Sequence, residues 1–443
     1  MPQARHVALR LLGAGFETWF VGGCVRDLLG GETPNDVDLA TAARPEQVLA
    51  LFPLARAVGA AFGVVLVQYG GKSFEVATFR EDGAYTDCRR PDSVRFATAR
   101  EDVQRRDFTV NGLLMDPRTG MVADYVGGVE DWKNGLIRAI GDPRARFAED
   151  ALRLLRAVRF AATKRMRIET CTWEALCEQA QLVKRVSAER VRAELDRMWA
   201  SPHRKNALAL LDMSGMLGII LPELVAMKGC RQPPQFHPEG DVWEHTKRVF
   251  EHLPPAAGLP LAWAALLHDV AKPAVRSVDE CGELHFYGHD RLGGEMAETI
   301  LHRLKYPNAL VEVVKFMIGR HMQWEQLDAM RPGKLRLWMS VPTMEDEMLL
   351  YRADCLASHG ALNKLTYVRE CREEMAVAAG QPKPCVTGRD LIAMGLQPGP
   401  SFKRWLEDAY IEQLEGRFAD RCAALAWVRR HISNTEKDDA AEP

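Results

Sequence analysis

Two aspartates separated by a single residue, Asp36 and Asp38, follow closely on the segment Gly22, Gly23, Cys24, Val25, Arg26, Asp27. If residues 36–40 form a strand, both carboxylates project from one face and can bind the same pair of divalent cations. Two such cations activate an attacking hydroxyl and neutralise a leaving pyrophosphate. The glycine pair leaves an apolar strand (Trp19–Val21) and opens a helix, so backbone amides can approach a triphosphate at the positive end of the helix dipole. An isolated Asp-x-Asp is usually two solvated loop carboxylates, and paired glycines after a strand are mostly turns. Their conjunction at short range, with Arg26 and Asp27 between them, points to phosphate chemistry.

Two aspartates rarely position two hard cations alone, so a third carboxylate is expected on a neighbouring strand. Glu75 is the candidate, because alternation places it on the face opposite Phe74 and Val76. A second dense group is Arg105, Arg106, Asp107, Phe108, Thr109, Val110, Asn111, Gly112. An arginine there can fork onto phosphate oxygens while Asp107 and Asn111 bond ribose hydroxyls. A structural Arg–Asp ion pair is the alternative and can coexist with that role.

Glu149, Asp150, Arg153 and Arg156 fall at the start of a helix expected near 147–164. Asp150 and Arg153 would share one helix face. A carboxylate accepts from the exocyclic amine of cytosine or adenine, and a guanidinium donates to the neighbouring ring nitrogen or carbonyl. Uracil and guanine present the opposite polarity, so one such pair accepts C and A and refuses U and G without a template. The alternative is an i, i+3 salt bridge on an exposed helix.

A separate constellation comprises His245, His268 with Asp269, His289, His321 and Asp354. The adjacent His268 and Asp269 are expected on an apolar helix over 264–270, where buried polar groups require partners, and a divalent metal is the usual one. A fold retained without metal or turnover is the other reading.

These groups need elements to hold them. The chain has 443 residues, 47% hydrophobic and 27% charged, enough for two to four domains. Strands are expected at 18–21, 36–40, 63–69, 73–78 and 121–126, forming an α/β head over 1–140. Helices near 147–164, 172–183 and 187–200 make a neck over 141–232. Prolines at 233, 234 and 238 open a third, all-helical unit over 233–375, and a break at 380–384 sets off a helical tail over 376–443 that is expected to lose structure from Thr435.

The net charge of −2 hides an asymmetry: residues 81–210 hold 24 Lys and Arg against 20 Asp and Glu. A locally basic surface suits a phosphate-bearing partner. The ten cysteines are scattered singly, without zinc-knuckle or redox spacing. No stretch approaches membrane-spanning length, and no signal peptide is expected. Reduced thiols in a cytoplasmic protein are the expectation.

Gly22–Thr41 resembles the signature of the polymerase-beta-like nucleotidyltransferases, and more narrowly that of class II tRNA nucleotidyltransferases (CCA-adding enzymes) and bacterial poly(A) polymerases. The resemblance implies an α+β protein: a polymerase-beta-like head with a mixed β-sheet, then an all-helical neck, an HD-type body and a helical tail. It implies Asp36 and Asp38 as Mg2+ ligands assisted by Glu75. The nucleotide would be held by Gly22, Gly23, Arg26, Asp27, Arg106, Asp107, Asn111, Asp150, Arg153 and Arg156. Residues 81–100, with Tyr85, Arg89, Arg90, Pro91 and Asp92, resemble the family's flexible loop, which matters most for adding the terminal A. Asp124, Gly127, Gly128 and Asp131 resemble its glycine hinge. Ser187, Glu189, Arg190 and Glu194 resemble a motif that buttresses the neck, and Ser187 also reads as an N-cap.

The later histidines resemble the HD phosphohydrolase superfamily, with His245, His268, Asp269 and Asp354 as its minimal ligand set for a second divalent metal and His289 as its extra histidine. The implied activity is template-independent addition of C and A, from CTP and ATP, to the 3' end of tRNA, with no membrane partner. An A-adding enzyme or a poly(A) polymerase stays open within the family. A metal-dependent phosphohydrolase whose head only binds nucleotides stays open from another class.

Overall fold

Burial alternates along Val64–Tyr69 and Lys72–Thr78, with Val65, Val67, Phe74 and Val76 inward and Glu75 outward. That period of two is what a sheet with one covered face requires. The computed structural model describes all residues except 35, 59–62, 84–92, 236, 378–381, 419 and 440–443.

The head strands are β1 (Thr18–Val21), β2 (Asp38–Thr41), β3 (Arg56–Ala57), β4 (Val64–Tyr69), β5 (Lys72–Thr78), β6 (Arg80–Asp82), β7 (Val94–Phe96), β8 (Leu114–Met115) and β9 (Val122–Ala123). Seven of them form one mixed sheet in the order β3-β4-β5-β2-β1-β8-β9. β2 runs antiparallel to β1, with Val21 opposite Asp38, and parallel to β5, with Leu39 opposite Val76. Leu39 and Val76 face the core with Phe20, Val25 and Val67. Their neighbours Asp38 and Glu75 therefore emerge side by side on the other face.

β2 begins at Asp38, so Asp36 lies in the turn before the strand rather than within it. The region expected as a loop over 81–100 has more order than that. β6 and β7 pair as a hairpin stem, and a helix over Ala99–Gln104 starts on a capping box made by Thr98 and Glu101. Tyr85, Arg89, Arg90, Pro91 and Asp92 lie outside the described residues.

The helix expected near 147–164 is two helices, Pro143–Glu149 and Leu152–Thr163. Asp150 between them is extended, with φ −137° and ψ 104°. Further helices follow at Thr170–Glu178, with a 3-10 turn over Ala180–Arg185, and at Ala188–Trp199. Ser187 occupies the N-cap position, but its side chain makes no capping bond.

By compactness the chain divides into two units. The first is Met1–Ala226 with Pro255–Leu259 and Ile300–Pro307, and the second holds the remainder. In the second unit His245, His289 and Asp354 sit on the helices Val242–His252, His289–Arg303 and Met344–Ala357, while His268 with Asp269 and His321 follow directly after the helices Leu259–Leu267 and Asn308–Arg320. Near the C-terminus the helix Arg421–Asp439 runs past Thr435, so the expected loss of structure there does not occur through residue 439. No helix among the described residues is long and apolar enough to cross a membrane.

Candidate active site

Gly22 ends β1 with φ +72° and caps the helix Gly23–Leu29. A Cβ at Gly22 would lie 3.7 Å from an Arg106 nitrogen, and one at Gly23 would lie 3.4 Å from an Arg26 nitrogen. Glycine thus keeps space beside two guanidiniums, and the Nε of both arginines is buried without a hydrogen-bond partner. Unmatched buried donors facing a glycine turn suit an anionic ligand.

These residues line an open cleft of about 350 Å³ in the first unit. Asp38 stands at it, together with Arg105, Arg106, Asp107, Asn111, Asp150, Arg153, Arg156, Phe160 and Arg190. Desolvation, then the like charges of Glu75 and Asp36, push the Asp38 carboxyl up to about 6, while Arg106 draws it down. Three carboxylates so placed are a donor set with excess negative charge, which fits hard divalent cations. Asp36 and Glu75 are exposed and lie outside the cleft lining itself.

A chain of contacts runs through the cleft floor. Arg26 donates to Asn111 Oδ1, and Asn111 Nδ2 donates to Asp107 Oδ1 at 2.9 Å. Asp107 also accepts from the Phe108 amide at 2.8 Å and from Arg156 Nε at 2.8 Å. Burial alone would raise the Asp107 carboxyl, yet Arg156, Asn111 and the Phe108 amide hold it down at about 2. Arg159, Arg26 and Arg156 place their guanidinium carbons 3.9, 5.0 and 5.3 Å from the centre of the Phe160 ring. One buried aromatic thus anchors three cations.

Several expected placements differ. Asp27 does not line the cleft; it pairs with Lys164 at 3.1 Å and with Arg26 at 3.7 Å, tying the glycine-turn helix to the end of Leu152–Thr163. Asp150 and Arg153 do not form the i, i+3 arrangement, because the extended backbone at Asp150 breaks the helical register. Asp150 instead accepts from Arg190 at 2.9 Å and from the Leu152 amide at 3.1 Å. Arg153 donates to Glu149 at 2.6 Å and to the carbonyls of Arg146 and Arg105 at 2.9 and 3.0 Å.

Of the two glycines in the expected hinge, Gly127 has open space around it and Gly128 is tightly packed. A Cβ on Gly128 would come 2.1 Å from the Thr109 carbonyl oxygen, and Asp124 accepts from the Gly128 and Val129 amides. Sequence reasoning assigned Arg190 to the neck alone and gave no cleft role to Arg105 or Phe160. The i+3 spacing of Phe160 from Ala157 and Ala161's apolar neighbours reads as core, so no local signal marked it.

The second unit gathers the later histidines closely. His268 and Asp269 lie in the turn directly after Leu259–Leu267 rather than on the helix, because the Val270 amide bonds the Leu267 carbonyl in a tightened i, i+3 turn. His245 Nε2 is 3.3 Å from His268 Nε2 and 3.1 Å from Asp354 Oδ1. His289 Nε2 is 3.2 Å from His321 Nε2. Asp269 lies between the two pairs: Oδ2 is 3.3 Å from His268, and Oδ1 is 3.4 Å from His289.

The donor atoms form two adjacent triads, His245–His268–Asp354 and Asp269–His289–His321, each spanning less than 4.8 Å. Nδ1 of His268, His289 and His321 bonds the carbonyls of Ala265, Phe286 and Ile318 at 2.9, 2.7 and 2.6 Å. This leaves Nε2 of each ring to the centre, the outer-shell pattern of metal-binding imidazoles. Both Asp269 oxygens are buried; Oδ2 is paired with Lys272, and Oδ1 has no hydrogen-bond partner. The donors therefore fit divalent cations, which His245, His268, Asp269, His289, His321 and Asp354 would hold. Lys272 stands 2.7 Å from Asp269, and Glu239 holds His245 Nδ1 at 2.6 Å; sequence reasoning named neither.

Comparison with known proteins agrees with this division. Residues 18–138 match the model described as "Poly A polymerase head domain", residues 165–227 that described as "Probable RNA and SrmB- binding site of polymerase A", and residues 242–358 the "HD domain" model. The CCA-adding enzyme of Lactobacillus helveticus is 46% identical over 209 residues, 47% of this chain and 52% of the relative. That of Geobacillus stearothermophilus is 42% identical over 215 residues, 48% of this chain and 53% of the relative. The chain thus spans about half the length of the curated relatives it matches. A crystal structure of Bacillus stearothermophilus CCA-adding enzyme in complex with CTP is 27% identical, covers 99% of this chain and 98% of its own, and superposes with a TM-score of 0.74. The mixed-sheet head, the RNA-binding segment and the HD-type body occur together and in order, and over nearly its whole length the chain is similar in fold to a CCA-adding enzyme.

Proposed function

We propose that this protein is a template-independent RNA nucleotidyltransferase of the cytoplasm that adds C and A, from CTP and ATP, to complete the CCA end of tRNA. One observation carries the reading: Asp38 at the phosphate end and Asp150 with Arg153 at the base end line the same cleft as Gly22 and Gly23. The similarity to a CCA-adding enzyme solved with CTP supports it. The RNA 3' hydroxyl oxygen attacks the α-phosphorus, the bond to the bridging oxygen breaks, and pyrophosphate departs.

Asp36 and Asp38 would hold Mg2+, which supplies Lewis acidity to the attacking and leaving oxygens. Glu75 completes the carboxylate cluster and takes up the hydroxyl proton. Gly22, Gly23, Arg26 and Arg106 hold the triphosphate; Asp107 and Asn111 set the ribose side of the cleft; Asp150 and Arg153 read the base edge, steadied by Arg190 and Glu149. Arg156 acts through Asp107, and Asp27 acts by fixing the glycine-turn helix.

The test incubates the protein with tRNA lacking CCA, tRNA ending in CC, and oligo(A), each with CTP, ATP or both. CCA completion on the first two primers is expected. Extension of oligo(A) alone would make it a poly(A) polymerase, A addition to tRNA ending in CC alone an A-adding enzyme. No incorporation anywhere, or an Asp38→Ala variant as active as the parent, defeats the proposal.

A second activity is favoured by the placement of Asp269 between two histidine pairs whose donor atoms converge. We propose that His245, His268, Asp269, His289, His321 and Asp354 hold divalent metal and that this centre hydrolyses a phosphate ester or a 2',3'-cyclic phosphate. Water attacks phosphorus, one P–O ester bond breaks, and the alkoxide leaves protonated. Hydrolysis that persists in His268→Ala and Asp269→Ala would refute it.

A further inference from the structure

Beside the HD-type centre a short hairpin presents two rings to solvent. Ser277–Val278 pairs antiparallel with Leu284–His285, and the chain continues through Phe286 and Tyr287 to Gly288 and the metal-ligand candidate His289. The His285 and Tyr287 rings are stacked, with centres 5.0 Å apart and planes 10° from parallel. Tyr287 is 76% exposed, the most open large aromatic side chain among the described residues. A ring of that size left in water on a rigid support has an outer face ready to be covered.

The support is rigid for identifiable reasons. His285 Nε2 bonds Asp279 Oδ2 at 2.9 Å, and Asp279 Oδ1 accepts from the amides of Cys281 and Glu283, each at 2.9 Å. Phe286 between the two rings turns inward, with Lys272 Nζ 5.6 Å from its ring centre, and its carbonyl accepts from His289 Nδ1 at 2.7 Å. The same Lys272 stands 2.7 Å from Asp269. The exposed stack is thus bonded into the outer shell of the centre. One residue, Gly288, separates Tyr287 from His289, so their Cα atoms lie at most about 7 Å apart, the scale of the span from a ribose phosphate to its base.

We propose that the outer face of Tyr287, backed by His285, is a nucleobase-stacking subsite, so that the HD-type centre acts on phosphates attached to a nucleoside rather than on phosphate esters at large. Every base has a π-face, so such a platform takes any base, and the pre-ordered stack lowers the entropy cost of binding. The inference rests on the hydrolytic reading above and deepens it.

The test compares kcat/KM for adenosine 2',3'-cyclic phosphate with that for glycerol 1,2-cyclic phosphate, which has the same strained ring and no base, on the full chain supplied with Mn2+. In Tyr287→Ala the ratio of the first to the second is expected to fall about tenfold, and Tyr287→Phe and Tyr287→Trp to restore it. An RNA oligonucleotide ending in the same cyclic phosphate forms a second arm. A fall on either base-bearing substrate supports the subsite and tells a free nucleotide from an RNA end; a parental ratio on both overturns it.

Binding of 2-aminopurine riboside 2',3'-cyclic phosphate, read by quenching of its fluorescence on stacking, reports the contact without turnover. Quenching that weakens in Tyr287→Ala supports the subsite, and quenching equal in parent and variant overturns it. If the parent cleaves neither cyclic phosphate, the hydrolytic reading fails by itself, and the fluorescence arm still decides the base contact.

Discussion

Arg156 Nη2 lies 2.6 Å from Asp107 Oδ2, although 49 positions separate the two residues. The pair joins the Asp107–Asn111 side of the cleft to the helix that follows Asp150. Asp107 is buried and also serves Asn111, so this one carboxylate holds together the contacts on which Arg26 depends. Its electrostatics therefore bear on stability as well as on nucleotide binding.

Acid stability follows from that carboxylate. Its folded value of about 2 is below the ordinary 3.8, so its contribution is fully present above pH 3.8 and is lost as pH falls through about 2. The difference corresponds to about 2 kcal/mol. In Asp107→Asn the gap in unfolding free energy from the parent, measured by urea titration, is expected to shrink by that amount between pH 5 and pH 2. A gap independent of pH would contradict the assignment.

Gly128 tolerates no side chain, since a Cβ would sit 2.1 Å from the Thr109 carbonyl oxygen. Gly128→Ala is expected to lose about 3 kcal/mol or more of stability as the backbone shifts, seen as a lowered Tm. Gly127→Asn, at a left-handed position with open space around it, should cost far less. Equal losses at the two positions would argue for a flexible hinge in place of a packed joint.

Asp150 and Arg153 are each held by another residue, and base selection should depend on those holders. Removing Arg190 leaves Asp150 with only the Leu152 amide. Arg190→Ala is expected to lower kcat/KM for CTP about tenfold and to narrow the preference for CTP over UTP. Arg197→Ala, a contact of Glu194 outside the cleft lining, serves as control. Single-nucleotide incorporation on tRNA lacking CCA reads both quantities.

Metal binding to the second unit should be visible as stability. Ligation to the folded state alone raises Tm with metal concentration, so titration with Mn2+ is expected to raise the Tm and EDTA to lower it. Asp269→Asn, which weakens the central carboxylate without emptying its space, should abolish the response while the chain stays folded. An undiminished Mn2+ response in that variant would place the metal elsewhere.

The parts of this protein legible in its sequence are those whose geometry is local. A glycine pair after an apolar strand makes a turn with open amides because no side chain blocks them. Alternation alone places Glu75 opposite Phe74 and Val76, and the sheet then aligns it beside Asp38. The same locality explains the expectations that failed. An i, i+3 spacing predicts a pair only while both residues share a helix, and the extended backbone of Asp150 ends that sharing.

Tertiary structure decided the partners. Asp27 meets Lys164 across 137 positions, Asp150 meets Arg190 across 40, and Asp269 stands between two histidine pairs drawn from separate elements. Charged side chains reach their partners through space, and burial makes the choice costly to change. Residue types and spacing determined which chemistries this chain offers; the packing of its helices against the sheet and against one another determined which residues line the cleft and which only hold those residues in place.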